Sequence, residues 1–128
     1  MIIKRVPPAW LETTNEALRA LLGLPANWDS YGAAPIHVES VMASIDLLRA
    51  IMRDDAPAPA VVPTSQGFVQ LEWHRDGLDL EIEVQSLGKY LTYFENSQTG
   101  ENWEQEVDWD LSPLIDFVSK LSKSTQAI

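Results

Sequence analysis

Three features of the 128-residue sequence predict an α+β fold: two helical apolar stripes near the N-terminus, alternating apolar and polar segments from residue 67 onward, and a third helical stripe near the C-terminus. The expected architecture is two N-terminal helices, a short edge strand, an antiparallel three- to four-stranded β-meander, and a C-terminal helix packed on one sheet face. The length suits one hydrophobic core and is too short for two, so residues 1–128 read as a single α+β domain.

The first helix is expected over about Ala9 to Leu22, with Trp10, Ala17, Leu18, Leu21 and Leu22 near a 3.6-residue period and Gly23 and Pro25 as the stop. The second is expected over about Val38 to Met52, where Val38, Val41, Met42, Ile45, Leu48 and Met52 form a stripe and Arg49 and Arg53 sit favourably near the C-terminus. Between them LPANWDSYGAAPI is rich in turn-forming residues, and Trp28 and Tyr31 favour an ordered loop over a loose one. The stretch DDAPAPAVVP is extended and leads into a short edge strand around Val61 and Val62.

The sheet signal is the strongest. GFVQLEWH (67–74) and LDLEIEV (78–84) both alternate, and Asp76-Gly77 between them is a preferred two-residue hairpin turn. That turn pairs Trp73 with Leu80, Leu71 with Ile82 and Val69 with Val84 on one face, and His74 with Asp79, Glu72 with Glu81 and Gln70 with Glu83 on the other. A third strand is expected over Lys89 to Glu95, with Leu91 and Tyr93 inward and Tyr90, Thr92 and Phe94 on the acidic side. A fourth, 103–109, would place Trp103, Val107 and Trp109 inward and Glu104, Glu106 and Asp108 outward. Asp110 or Ser112 then caps a helix from Pro113 that buries Leu114, Phe117, Val118 and Leu121 and frays after Lys123.

Composition narrows the function classes. Apolar residues make up 45% and charged residues 22%, which is ordinary for a folded chain. There is no cysteine, which removes disulfides, thiolate chemistry and Cys-ligated metals. The apolar run at the N-terminus is broken by Pro7 and Pro8, and no stretch approaches the roughly 18 apolar residues of a membrane span, so a cytoplasmic setting is expected. Net charge is −10 and lopsided: residues 1–64 hold 7 acids and 5 bases, residues 65–128 hold 12 acids and 4 bases. Such a field repels nucleic acid and anionic membranes and favours a basic protein as partner.

Four groups are candidate sites. The first is a carboxylate face containing Glu72, Asp79, Glu81, Glu83, Glu104, Glu106 and Asp108, in which Glu72 opposite Glu81 is a like-charge pair that costs stability unless a cation compensates. Solvent screening of an ordinary acidic surface is the bland alternative. The second is His74 with Glu72 and Asp79, which can ligate a metal or act as a base, or can simply decorate the hairpin end. The third is NWDSYG: Trp28, Asp29, Ser30 and Tyr31 can line a small pocket, or Trp28 and Tyr31 can plug the gap between helices while Asp29 or Ser30 caps backbone amides. The fourth is the aromatic set Tyr90, Phe94, Trp103 and Trp109, as interface anchors or as core. No phosphate loop, dinucleotide fingerprint, HExxH or CxxC is present, so no cofactor, metal ligand set or catalytic residue is assigned.

NWDSYGAAPI, VVPTSQGFVQLEWH and GLDLEIEV together resemble segments of a widespread family of small uncharacterised bacterial proteins, over roughly residues 21 to 95. The resemblance implies a bacterial or phage origin and a compact domain, and it assigns no activity.

The expected function is a non-catalytic acidic binding module of the antitoxin, inhibitor or secretion-chaperone kind. It would present Glu72, Glu81, Glu83, Tyr90, Phe94, Glu104, Glu106 and Asp108 to a basic partner and, in one form, mimic nucleic-acid phosphates. The rival is a small hydrolase using Asp29 or the Glu72, His74, Glu81 and Glu83 group, with or without a divalent metal. A third expectation is a homo-oligomer paired through an exposed edge strand.

Overall fold

The computed structural model describes residues 6–126, with side chains through Leu121. Its element order is α1 (Ala9–Leu22), α2 (Val38–Ile51), β1 (Ala60–Pro63), β2 (Val69–Arg75), β3 (Leu78–Ser86), β4 (Lys89–Asn96), β5 (Asn102–Val107) and α3 (Ser112–Gln126). The five strands form one antiparallel meander in the order β1-β2-β3-β4-β5, one strand more than the four-stranded limit expected for the meander because β1 joins it. All three helices lie against one face, which makes this an α+β fold. No helix among the described residues is long and apolar enough to cross a membrane.

The β2–β3 hairpin sets the pattern for the rest. Asp76 and Gly77 adopt φ of 53° and 80°, the paired positive values of a tight hairpin turn that only a residue such as glycine enters without strain. The resulting register pairs Val69 with Val84, Leu71 with Ile82 and Trp73 with Leu80, as the alternation requires. All six of these side chains are buried beneath the helices.

The third strand departs from expectation. A plain two-residue turn at Leu87-Gly88 would bring Val84 opposite Leu91. Instead a bulge between Val84 and Ser86 pairs Val84 with Tyr90, so Tyr90, Thr92 and Phe94 face the core, whereas Leu91 and Tyr93 face outward. Since KYLTYFE carries aromatic residues at both parities, alternation alone cannot choose between the two phases. Packing explains the outcome: Phe94 meets Phe117 of α3 with ring centroids 4.0 Å apart and Trp103 of β5 at 5.8 Å. Tyr90 and Phe94 are therefore core residues and leave the set of partner-binding candidates.

Strand β5 places Trp103 and Val107 inward, but it ends at Val107, the partner of Tyr90 near the start of β4. Beyond that pair the period-2 rule lapses. Trp109 is 72% exposed rather than buried, and Asp108 lines a cavity with residues of α2 instead of joining the open sheet face. Asp108 Oδ1 accepts from the Asp110 amide, and Asp110 Oδ1 accepts from the Ser112 amide and hydroxyl, which turns the chain into α3. These two donors hold the Asp110 carboxyl below its ordinary range. Helix α3 buries Leu114, Phe117, Val118 and Leu121 and runs past Lys123 to Gln126.

Helix α2 buries only part of its most apolar stripe, with Val41 and Leu48 buried and Ile45 and Met52 packed against the core. Its buried side is Ser40, Val41, Ala43, Ser44, Leu47, Leu48 and Ile51, whereas Val38 and Met42 are mostly exposed. Small residues let the helix approach the sheet closely. Ser40 Oγ donates to the Val84 carbonyl and accepts from the Val69 amide, tying α2 to the end of the β2–β3 ladder where these two residues pair. In α1, Leu22 is likewise exposed while Thr14 is buried.

Candidate functional site

With the helices on one face, no element among the described residues covers the other face of the meander, and pairing arranges its side chains in rows. One row is Glu72, Glu81, Tyr93 and Glu104; the next is Gln70, Glu83, Leu91 and Glu106; the third is His74, Asp79, Glu95 and Asn102. The face thus gathers Glu72, Asp79, Glu81, Glu83, Glu95, Glu104 and Glu106. Tyr93, Leu91 and Glu95 are members that the inverted phase of β4 hid. Proper pairing of β4 through the bulge is the signal that finds them.

Among the described residues, no arginine or lysine forms an ion pair with any carboxylate of this face. Lys89 stands at one end beside Gln85, Leu91 and Glu106 without making one. Neutral neighbours do part of the ordering: Gln70 donates to Glu72, Gln85 to Glu83, and the Tyr93 hydroxyl to Glu95 at 2.7 Å. That last bond raises the Tyr93 pKa, because ionising the phenol would lose the bond and set two anions together. Partial burial, followed by repulsion from Glu72, pushes the Glu81 carboxyl up. A shallow concavity of about 140 Å³ lies in the middle of the face, lined by Gln70, Glu81, Glu83, Leu91, Thr92, Tyr93 and Glu104.

His74 is the one basic side chain inside the rows. Its Nδ1 lies 2.6 Å from Asp79 Oδ1 and its Nε2 lies 3.0 Å from Glu72 Oε1. Carboxylate oxygens only accept, so both ring nitrogens must donate, and both bonds hold the imidazolium form with a pKa above the usual value. A metal at Glu72, His74 and Glu81 is the competing use. Their donor atoms lie within 4.8 Å of one another. A metal there requires His74 to give up the proton that its Nε2 donates to Glu72. The arrangement as folded bridges two carboxylates with a proton-bearing ring.

The NWDSYG loop is organised by its own polar side chains. Asp29 Oδ1 accepts from the Tyr31 and Ala33 amides, Asn27 Oδ1 accepts from the Gly32 amide, and Trp28 Nε1 donates to the Ala34 carbonyl. Asp29 is thus committed to backbone amides, and Ser30 Oγ has no base as hydrogen-bond partner among the described residues. Tyr31 does not plug the space between helices; it is 92% exposed at the loop tip. The loop docks on residues 64–68 through Ala34 N–H to the Ser65 carbonyl and His37 N–H to the Gly67 carbonyl.

Self-pairing through the outer edge of β5 would bring Glu104 and Glu106 of two copies together, which like-charge repulsion opposes. Comparison of the chain with protein-family models, curated proteins and solved structures finds no match.

Proposed function

We propose that this chain is a non-catalytic binding module that offers the open sheet face, with Glu72, Glu81, Glu83, Glu104 and Glu106 at its centre, to a basic protein partner in the cytoplasm. The observation that carries the reading is seven carboxylates on one continuous face with no arginine or lysine ion pair among the described residues. An acidic surface that served only solubility would gain from interspersed cations, and this face has His74 alone within its rows. Direct cross-strand neighbours lie about 5 Å apart, so in the pairs Glu72–Glu81 and Asp79–Glu95 a partner with a matching cationic patch relieves repulsion that the free protein endures. Antitoxins and inhibitors of nucleic-acid-binding proteins have this requirement, since carboxylate rows can stand in for phosphates.

The test is calorimetric titration with a 12-residue peptide of alternating lysine and serine. Affinity should fall steeply as salt rises. The triple variant Glu81→Gln, Glu83→Gln, Glu104→Gln should bind about tenfold more weakly, at roughly half a kcal/mol per exposed pair. An equal loss of charge on the helices, Glu12→Gln, Glu16→Gln, Glu39→Gln, should cost less than about twofold. Equal losses from the two triples, or affinity indifferent to salt, would overturn the reading.

A further inference from the structure

Between α2 and the β3–β4 turn lies a cavity of about 150 Å³ whose lining includes Asp46, Leu47, Leu87, Asp108 and Trp109. Its walls are apolar, and its two charged members are both carboxylates, one from α2 and one from the chain beyond β5. Neither carboxylate makes an ion pair among the described residues.

Trp109 is exposed yet held in place. Gly88, at φ of +79°, leaves room for the indole to lie on the turn backbone, since a Cβ there would stand 2.6 Å from Cε2 and Cζ2 of the ring. One ring face rests on the turn and the residue is 72% exposed, so the other face is open. Leu87 beside it is half exposed. An aromatic ring held rigid before binding costs little ordering entropy when a partner arrives, which is why such rings dominate interface energetics.

We infer that this slot receives an arginine side chain of the basic partner, whose guanidinium lies over the open face of Trp109 between Asp46 and Asp108. The inference rests on the functional reading above and adds a second, chemically selective contact to it. Charge complementarity chooses the occupant: an aliphatic side chain would desolvate two carboxylates without compensation. Lysine satisfies the charge, but its compact ammonium cannot match the planar stacking and forked hydrogen bonding of arginine. The volume suits one side chain.

The acidic face reads charge alone, so two peptides of equal charge separate the two claims. Calorimetry would compare 12-residue arginine–serine and lysine–serine peptides against the intact protein and its Trp109→Ala variant. The arginine peptide should bind wild type about tenfold more tightly than the lysine peptide, and Trp109→Ala should erase that preference while leaving lysine-peptide affinity unchanged. Asp46→Asn should reduce the preference without altering the fold, since the residue is exposed. Equal affinity of the two peptides for wild type overturns the slot and leaves the acidic face standing. An arginine preference that survives Trp109→Ala overturns the slot as well, and failure of both peptides to bind overturns both claims.

Discussion

His74 shows how one proton holds the hairpin end together. Its folded pKa is raised by bonds to Glu72 and then Asp79, so its contribution to stability is fully present below the ordinary imidazole value of 6.5 and is lost as pH rises through the raised value. The raised Glu81 carboxyl acts in the same direction. Melting temperature should therefore be higher at pH 6 than at pH 8, and His74→Gln should flatten that difference; an unchanged pH profile in the variant would refute the bridging role. Thr92 tells the opposite story. It is fully buried opposite Ile82, and its Oγ1 has no hydrogen-bond partner among the described residues. Thr92→Val keeps the shape and removes the unsatisfied hydroxyl, so chemical denaturation should show a gain of about 1 kcal/mol. Ser40→Ala should cost about 1–3 kcal/mol by the same assay, because the Val69 amide and Val84 carbonyl lose a buried partner.

At the level of elements, the parts legible in the sequence are those where local rules agree. The Asp76-Gly77 turn and the alternation on both sides of it allow one register, and that register is the one formed. Strand β4 was not legible in the same way, since Tyr90, Thr92 and Phe94 compete with Leu91 and Tyr93 and a one-residue bulge decides between them. Helix α2 was legible in part: Val41 and Leu48 of the expected stripe are buried and Ile45 and Met52 pack against the core, but the sheet also takes the small groups Ser40, Ala43 and Ser44, so Val38 and Met42 turn outward. Trp109 fell outside because strand parity stops where pairing stops, at Val107. Of the candidate site, the hairpin carboxylates were readable from β2 and β3 alone, whereas Tyr93 and Glu95 required the bulge. The turn that carries Trp109 has its own test. Gly88→Ala should destabilise by about 1–2 kcal/mol through backbone strain alone, and more through contact with the indole. In a Trp109→Ala background only the strain should remain, so an equal cost in both backgrounds would contradict the stacked placement.

Across the whole molecule, one face buries a continuous core and the other collects most of its charge as carboxylates. The helices take up the apolar face with Leu18, Leu47, Leu48, Leu114 and Leu121, and among the described residues no element covers the carboxylate face. The like-charge rows cost stability in the free protein, so added salt should raise the melting temperature of wild type more than that of the Glu81→Gln, Glu83→Gln, Glu104→Gln variant. The most direct test of the central claim is a nuclear magnetic resonance titration of isotope-labelled protein with the lysine–serine peptide, following backbone amides. The largest shifts should fall at Glu81, Glu83, Tyr93, Glu104 and Glu106. Shifts centred on α1 and the outer side of α2, or spread evenly over all acidic residues, would contradict it.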